Sequence, residues 1–209
     1  MQFLHSQKPL LSLTARAAAY GLAVTVLLFL LELSAYAEVQ RFRLNPEESH
    51  IVTKIKDPFG YFVSGTLRLR EGQAGGDPDR LKETATANLL LDATSYDSDL
   101  GLRDKDVQED YLEAQRYRTI RFSSSAVVQV DRSGPSGEGW TLLLRGTLAF
   151  HGIEKEITVP IRLRYESRRF VAQGRLQILL EDFKIDVPSL LFLKAGNRVD
   201  VEFSIVGER

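Results

Sequence analysis

The stretch Ile157-Thr158-Val159-Pro160-Ile161-Arg162-Leu163-Arg164-Tyr165 alternates between two kinds of side chain. Its odd-numbered residues are all apolar or aromatic and share one face, whereas Thr158, Arg162 and Arg164 lie on the other. Such alternation predicts a β-strand with one buried face and one face in water. Pro160 has no backbone N–H, so we expect this strand to lie at a sheet edge or to be bulged there.

The same period of two recurs along most of the chain after Val39. Three further segments show it clearly, and their apolar faces are Trp140, Leu142, Leu144, Leu148 and Phe150; Phe170, Ala172, Leu176, Ile178 and Leu180; and Val199, Val201, Phe203 and Ile205. Weaker strands are predicted at residues 42–44, 51–55, 61–69, 84–91 and 120–130. Stretches rich in Asn, Asp, Gly and Pro separate them, including Gly72–Pro78.

One segment, Asp104 to Tyr117, has a helical period instead. Val107 and Tyr111 are four residues apart, and acidic side chains gather at the start, where the helix dipole favours negative charge. The sequence therefore predicts an all-β, antiparallel domain of about eight or nine strands with one short helix, rolled into a barrel or folded into a sandwich. An eight-stranded barrel has an interior that can just hold one small ligand.

The first 37 residues predict a secretory signal peptide rather than part of a fold. Lys8 and Arg16 precede the apolar run 17–31, Glu32 ends that run, and Ala35-Tyr36-Ala37 offers a small-x-small cleavage site. The run is shorter than the roughly 20 residues that span a bilayer. We therefore expect cleavage near Ala37, a mature domain over residues 38–209, a periplasmic or secreted protein, and no stable membrane insertion after cleavage. An uncleaved anchor is the alternative.

Charge and cysteine content narrow the function classes. Loss of residues 1–37 would remove two of the 27 basic and one of the 28 acidic side chains, which leaves a net charge of −2. This balance argues against nucleic acid or an anionic membrane surface as the main partner. The chain has no cysteine, which excludes disulfides, Zn–Cys sites, Fe–S clusters and thiol catalysis.

The apolar faces point inward in a water-soluble barrel and outward in an outer-membrane barrel. We favour the inward arrangement, because the polar faces are dense in Arg, Glu and Asp, which a narrow lumen could not readily hydrate. No aromatic girdle recurs at the strand ends either. An apolar interior with space left inside accepts apolar guests. Composition does not distinguish such a cavity from a filled core.

No residue constellation indicates catalysis. The two histidines of the mature domain, His50 and His151, lack the spacing of a metal site, and no Gly-x-Ser-x-Gly elbow accompanies Ser49 or Ser64. Glu181, Asp182 and Asp186 show no clear carboxylate pair of the kind that a glycosidase needs. We therefore predict neither an enzyme nor a bound metal or cofactor, and interpret both histidines as structural.

The segment Gly146-Thr147-Leu148-Ala149-Phe150-His151-Gly152-Ile153-Glu154-Lys155-Glu156-Ile157-Thr158-Val159-Pro160 resembles the signature of the YceI-like family of exported, lipocalin-like barrels. That signature reads Gly-x-Leu-x-x-His-Gly-x-x-Lys-x-Val-x-x-Pro. A second match joins Leu102-Arg103-Asp104 to Tyr117, Ile120 and Phe122. The chain departs from the family at Asp106, where His is usual, and at Arg118, where Pro is usual.

The resemblance implies an eight-stranded lipocalin-like barrel whose interior holds a polyisoprenoid or related long apolar lipid. The side chains that we predict to contact such a ligand are Phe122, Trp140, Leu142, Leu144, Ile161, Leu163, Phe170, Leu176, Ile178, Phe183, Leu191 and Phe192. Leu190–Leu193 is the least strand-like apolar run and forms either a lid or an ordinary plug. The alternatives are a ligand-free structural or stress-related envelope protein and, third, a hydrolase that uses His50 or His151. A homodimer is left open.

Overall fold

A computed structural model describes residues 39–133, 139–166, 168–187, 189–190 and 193–209. The predicted signal peptide, residues 1–37, lies outside this part of the chain. The strands are β1 Gln40–Leu44, β2 His50–Lys56, β3 Phe62–Gly76, β4 Thr86–Asp97, β5 Thr119–Ser133, β6 Gly139–Phe150, β7 Ile153–Glu166, β8 Arg169–Leu179, β9 Ser189–Leu190, β10 Leu193–Lys194 and β11 Arg198–Glu208. The helices are α1 Leu81–Thr84 and α2 Gly101–Asp106, with a π-helical turn at Val107–Tyr111 and a 3-10 turn at Leu180–Phe183.

The strands close into an antiparallel barrel with eight strand positions, as predicted. The hydrogen-bonded order is β2-β3-β4-β5-β6-β7-β8-β11, and β11 pairs back with β2. The short strand β1 continues the position of β2, because it also pairs with β11 and β3, at Arg43↔Glu208 and Gln40↔Gly76. β9 and β10 pair only with each other among the described strands.

A side-chain turn interrupts the strand position that β1 and β2 share. Asn45 Oδ1 accepts the backbone N–H groups of Glu47 at 3.0 Å and Glu48 at 3.3 Å. This is the Asx turn that an Asn-Pro pair favours. The buried hydroxyl of Ser49 then accepts the N–H of Val206 at 3.1 Å, so the neighbouring strand β11 keeps its hydrogen bonds across the break.

The strand register defines two ends of the barrel. At the α2 end, strands β2, β4, β6 and β8 finish and β3, β5, β7 and β11 begin; at the α1 end the reverse holds. The prediction that Gly72–Pro78 separates two strands was wrong, since β3 continues to Gly76. A Cβ at Gly72 would lie 2.5 Å from Leu44 Cδ1 and 2.7 Å from Asn88 O, so glycine lets this strand pack closely against its neighbours.

The predicted short helix is present, but it begins earlier and ends earlier than residues 104–117. α2 starts at Gly101, and the following π-helical turn ends at Tyr111. Arg103 Nε donates to Ser98 Oγ at 2.7 Å, and Asp104 Oδ1 accepts the Ser98 N–H at 2.9 Å, which joins the helix to the end of β4. Glu113 has a φ of +42°, a left-handed conformation that cannot continue a right-handed helix.

β7 pairs with β6 over its whole length but with β8 over only its second half. The pairing with β8 runs from Ile161↔Gly174 to Glu166↔Arg169, so residues 153–160 have no partner on that side among the strands that the structure describes. Pro160 stands immediately before the first pair, and its carbonyl oxygen faces β8 at Gly174. The missing N–H therefore lies where pairing ends, as expected for a proline at an edge.

Two clusters of buried side chains fill part of the barrel. The larger one extends from Phe42 and Leu44 to Phe150, Phe183 and Ile185. The smaller one lies at the α1 end, where Leu81 of α1 packs with Trp140, Leu142, Leu144 and Val127. Within the described ranges, no helix has the length and apolar character needed to cross a membrane.

Candidate functional site

A cavity of about 290 Å³ lies inside the barrel. Every one of the eight strand positions contributes to its wall, because the inward-facing residues of β2 to β8 and β11 meet there, with Leu44 from β1. Three alanines, Ala74, Ala87 and Ala172, occupy inward positions on β3, β4 and β8. Their short side chains leave volume that larger residues at the same positions would fill.

The structure places six of the predicted contact residues on the cavity wall. They are Phe122, Leu144, Ile161, Phe170, Leu176 and Ile178. Five of them come from strands whose alternating pattern is clear in the sequence, and Phe122 comes from the weaker segment 120–130.

Four other predicted contact residues are absent from the cavity wall. Trp140, Leu142 and Leu163 belong to the cluster that closes the α1 end. Phe183 lies in the 3-10 turn, almost wholly buried, with its ring centroid 5.3 Å from that of Phe150. Alternation assigns a strand residue to the inside of a barrel, but not to a level along its axis, which explains why Trp140, Leu142 and Leu163 are absent from this wall. Leu191 and Phe192 lie outside the described residues.

Sequence reasoning missed part of the wall at the α2 end. Tyr96 of β4, Val107 and Tyr111 of the π-helical turn, and the following Leu112 all line the cavity. The spacing of Val107 and Tyr111 was recognised as a helical face, yet nothing in the sequence indicated that this face covers the barrel interior. The helix therefore forms one wall of the site.

The described part of the wall carries no charged side chain, and its polar groups are few. They are Thr53, Tyr96 and Tyr111. Thr53 Oγ1 donates to the Gly65 carbonyl at 3.1 Å, so its hydroxyl is already satisfied. Burial raises the pKa of Tyr96 above its ordinary value of 10.0, with Arg103 acting in the opposite direction and Asp104 reinforcing the rise. The tyrosine is therefore neutral at physiological pH.

A cluster of polar side chains around Ser98 follows Tyr96 at the α2 end of β4. Besides the contacts of Ser98 with Arg103 Nε and Asp104, Arg103 Nη2 donates to Ser98 O at 2.7 Å, and Gln108 Nε2 donates to Tyr96 O at 2.8 Å. These bonds engage both charged side chains with the hydroxyl and the backbone groups of Ser98. The cluster thus holds α2 and the π-helical turn against β4, which keeps Tyr111 on the cavity wall.

Neither histidine of the barrel lines the cavity. His50 is exposed at the start of β2. His151 lies in the β6–β7 turn, where its Nδ1 is 3.0 Å from Phe183 O and its Nε2 is 3.1 Å from Glu113 Oε1. His151 thereby ties the 3-10 turn to the segment after the π-helical turn. Across the described ranges, no three His, Asp or Glu side chains gather as a metal site.

Comparisons with known proteins agree with this geometry. A model of the YceI-like domain family matches residues 42–207. No curated protein sequence matches the chain. Among solved structures, Burkholderia cenocepacia BcnA is 19% identical with a TM-score of 0.65, covering 78% of this chain and 98% of its own.

A second solved structure is a polyisoprenoid binding domain from Saccharophagus degradans, implicated in plant cell wall breakdown. It is 15% identical with a TM-score of 0.61, covering 82% of this chain and 99% of its own. A mutant YceI protein of Campylobacter jejuni is 16% identical with a TM-score of 0.57, covering 70% of this chain and 85% of its own. At these identities the likeness establishes a shared fold.

Proposed function

Because the chain belongs to the YceI-like family, we propose that it is an exported binding protein that holds an apolar lipid tail, of the polyisoprenoid class, inside its barrel. It performs no chemistry on that ligand. The apolar cavity wall supports an apolar ligand, the family supports the polyisoprenoid class, and the order of charges in the first 37 residues supports export.

The observation that carries the proposal is the uncharged cavity. Its wall consists of aliphatic and aromatic side chains, and its few polar groups are neutral. Transfer of hydrocarbon from water into such a space is favourable by about 25 cal/mol per Å² of apolar surface buried. A volume of about 290 Å³ is close to the lower end of the roughly 300–1,000 Å³ found for small-molecule sites.

The choice of a polyisoprenoid rests on family and not on the shape of the cavity. The Saccharophagus degradans relative is a polyisoprenoid binding domain, and its fold is the one found here. A prenyl chain is flexible and has no charged group along its length, so it matches a wall that offers no ionic partner.

The positions of the two histidines support the part of the proposal that excludes catalysis. A catalytic base must reach the substrate within hydrogen-bond distance. Here His151 is engaged by Phe183 O and Glu113, and His50 lies on the barrel surface. The predicted signal peptide in residues 1–37, with its expected cleavage near Ala37, supports the proposal of export.

Native mass spectrometry of the protein purified from its own host tests the proposal. We expect a bound mass that matches an isoprenoid lipid. The variant Ala172→Phe, which puts a ring into the cavity from β8, is expected to lose that mass. Gln173→Phe, at the adjacent outward position, is the matched control and is expected to keep it.

A second measurement uses purified, delipidated protein and the prenyl alcohols geraniol, farnesol and geranylgeraniol. Wild type and Gln173→Phe are expected to bind them, and Ala172→Phe is expected to bind at least about tenfold more weakly, because the ring excludes several buried methylene groups. Absence of any lipid mass, together with no binding of the three alcohols, would refute the proposal and leave a ligand-free barrel.

A further inference from the structure

Large hydrophobic side chains are exposed mainly at one end of the barrel. Of the eight such residues on the described surface, six lie at the α2 end: Phe59, Tyr61, Phe62, Leu100, Leu102 and Leu179. We call these six the apolar rim. The other two, Val39 and Val128, lie elsewhere, before β1 and in β5. A concentration of this kind marks an interaction site, whereas single scattered residues do not.

The aromatic part of the apolar rim is held in place by an ordered turn between β2 and β3. Asp57 Oδ1 accepts the N–H groups of Phe59 at 2.9 Å and Tyr61 at 2.8 Å, and Asp57 N donates to Tyr61 O at 2.8 Å. Phe59 and Tyr61 nevertheless remain 63% and 73% exposed. The turn thus presents aromatic side chains to the outside in a fixed conformation, which lowers the entropy cost of docking them.

The aliphatic part of the apolar rim lies beside this turn. Thr66 of β3 pairs with Asp97 of β4, so the start of β3 and the chain that leaves β4 into α2 are neighbours. Leu100 and Leu102 are 51% and 79% exposed there. The hydrogen bonds of Ser98 with Arg103 and Asp104 hold α2 in place, so these leucines too are presented by an ordered element.

The cavity reaches the same end of the barrel. Tyr96, Val107 and Tyr111 line it there, whereas the α1 end is filled by the Trp140 cluster. The charges around the apolar rim are of both signs, with Lys56 and Lys105 close in sequence to Asp57 and Asp106. Lys56 itself lies over the Phe62 ring at 5.3 Å. This mixture offers no cationic patch for an anionic lipid surface.

We propose that the apolar rim docks reversibly on the interface of a zwitterionic lipid bilayer, with the α2 end facing the membrane. The inference rests on the proposed function, since a polyisoprenoid cargo dissolves in bilayers and not in water. Aromatic and leucine side chains are the groups that settle at the headgroup level of a bilayer. The cargo would then be exchanged at the end where the cavity meets the rim.

A site-specific depth probe tests this docking. The chain has no cysteine, so Phe59→Cys and Val128→Cys each give one thiol for an environment-sensitive fluorophore. On phosphatidylcholine vesicles that contain a nitroxide-labelled lipid, the fluorophore at residue 59 is expected to shift to shorter wavelength and to be quenched. The fluorophore at residue 128, on the exposed outer face of β5, is the matched control and is expected to stay in water. Because the probe reports its own position, residues 1–37 do not affect the reading.

Vesicle flotation of unlabelled variants measures the partition coefficient of the protein between water and the vesicles. Phe59→Ser combined with Leu102→Ser is expected to lower the partition coefficient by about tenfold or more, and Val128→Ser is expected to leave it unchanged. Added salt is expected to have little effect, because the docking is apolar.

Three results would overturn the docking proposal. They are no quenching at residue 59, equal quenching at residues 59 and 128, or binding only to anionic vesicles that salt abolishes. The lipid mass found by native mass spectrometry is independent of these readings. A protein that carries lipid but shows no quenching at residue 59 would therefore refute the docking and leave the proposed function standing.

Discussion

Gly174 lies where β7 and β8 begin to pair, and the backbone there is too close for a side chain. A Cβ at this position would be 2.3 Å from Pro160 O and 2.5 Å from Phe203 Cζ. The first of these contacts is with backbone, so relief requires the two strands to move apart. The glycine therefore matters for the close approach of strands rather than for a turn.

The substitution Gly174→Ala is expected to lower the free energy of unfolding by about 1–3 kcal/mol, as forced overpacking does. Urea denaturation measures it. Gly101→Ala is the control, because no atom lies within 4 Å of its Cβ position and residue 101 is in α2. There we expect no loss, or a gain of up to about 1 kcal/mol from helix propensity. Equal destabilisation by both substitutions would contradict this account.

The pKa of Tyr96 makes a second residue-level prediction. Because burial raises this pKa above 10.0, the folded state holds its proton at pH values where the unfolded chain releases it. Stability is therefore expected to fall as pH rises above 10.0, through the window up to the folded pKa. Tyr96→Phe removes this contribution.

The measurement is the free energy of unfolding of wild type and Tyr96→Phe from pH 8 to about pH 11, a range that brackets the ordinary tyrosine pKa. The difference between the two proteins is the relevant quantity, since other tyrosines and lysines titrate in both. We expect wild type to lose more stability than the variant above pH 10.0. Parallel curves would show that the Tyr96 hydroxyl is not desolvated.

At the scale of the element, β7 has two halves with different hydrogen bonding. The Pro160 carbonyl faces β8 and the Leu163 carbonyl faces β6 at Gly139, so even-numbered residues direct their backbone groups toward β8. In residues 153–160, those groups have no partner among the described strands. Among the described residues, His151 in the turn before β7 contacts Phe183 O, and Lys155 of β7 forms an ion pair with Asp182.

Amide hydrogen exchange resolved by residue checks this division of β7. The N–H groups of Glu156 and Thr158 are expected to exchange near the rate of an unprotected amide, whereas those of Ile157 and Val159, which face β6, are protected. Arg162, which faces β8 in the paired half, serves as the internal control and is expected to be protected. Strong protection at Glu156 and Thr158 would mean that another segment covers this edge.

For the element types, much was predictable from the sequence. Alternation of apolar side chains locates β6, β7, β8 and β11, because a half-buried strand requires that period. The bounds of α2 were not predictable, because contacts of Arg103 and Asp104 with Ser98 and the left-handed Glu113 set them. β3 was predicted too short, because its glycine-rich end is a strand only in contact with β1 and β4.

At the scale of the whole molecule, closure of the barrel depends on pairing between residues far apart in sequence. β11 pairs with β2 at Ser204↔His50 and with β8 at Arg198↔Leu179. The same closure leaves a cavity of about 290 Å³ inside the barrel. Unfilled apolar space lowers stability, since its lining atoms lack contacts.

A ligand that fills the cavity is therefore expected to stabilise the fold. In the presence of saturating farnesol, delipidated protein is expected to gain about 2.7 kcal/mol when the ligand is at 100 times its Kd. Thermal unfolding measures this as a rise in Tm. Ala172→Phe is expected to show a smaller rise or none, because the added ring occupies the space. An equal rise in both proteins would place the ligand elsewhere.

The sequence by itself determined the class of fold, the inward face of each clear strand and the family to which the chain belongs. These follow from local alternation and from short motifs such as the one around His151 and Gly152. Only the tertiary structure decided the level of each residue along the barrel, which put Phe122 and Ile178 on the cavity wall and Trp140 and Leu142 in the smaller cluster at the α1 end. The reason is that alternation repeats every two residues and carries no information on strand register. The register sets the level of each residue along the barrel axis.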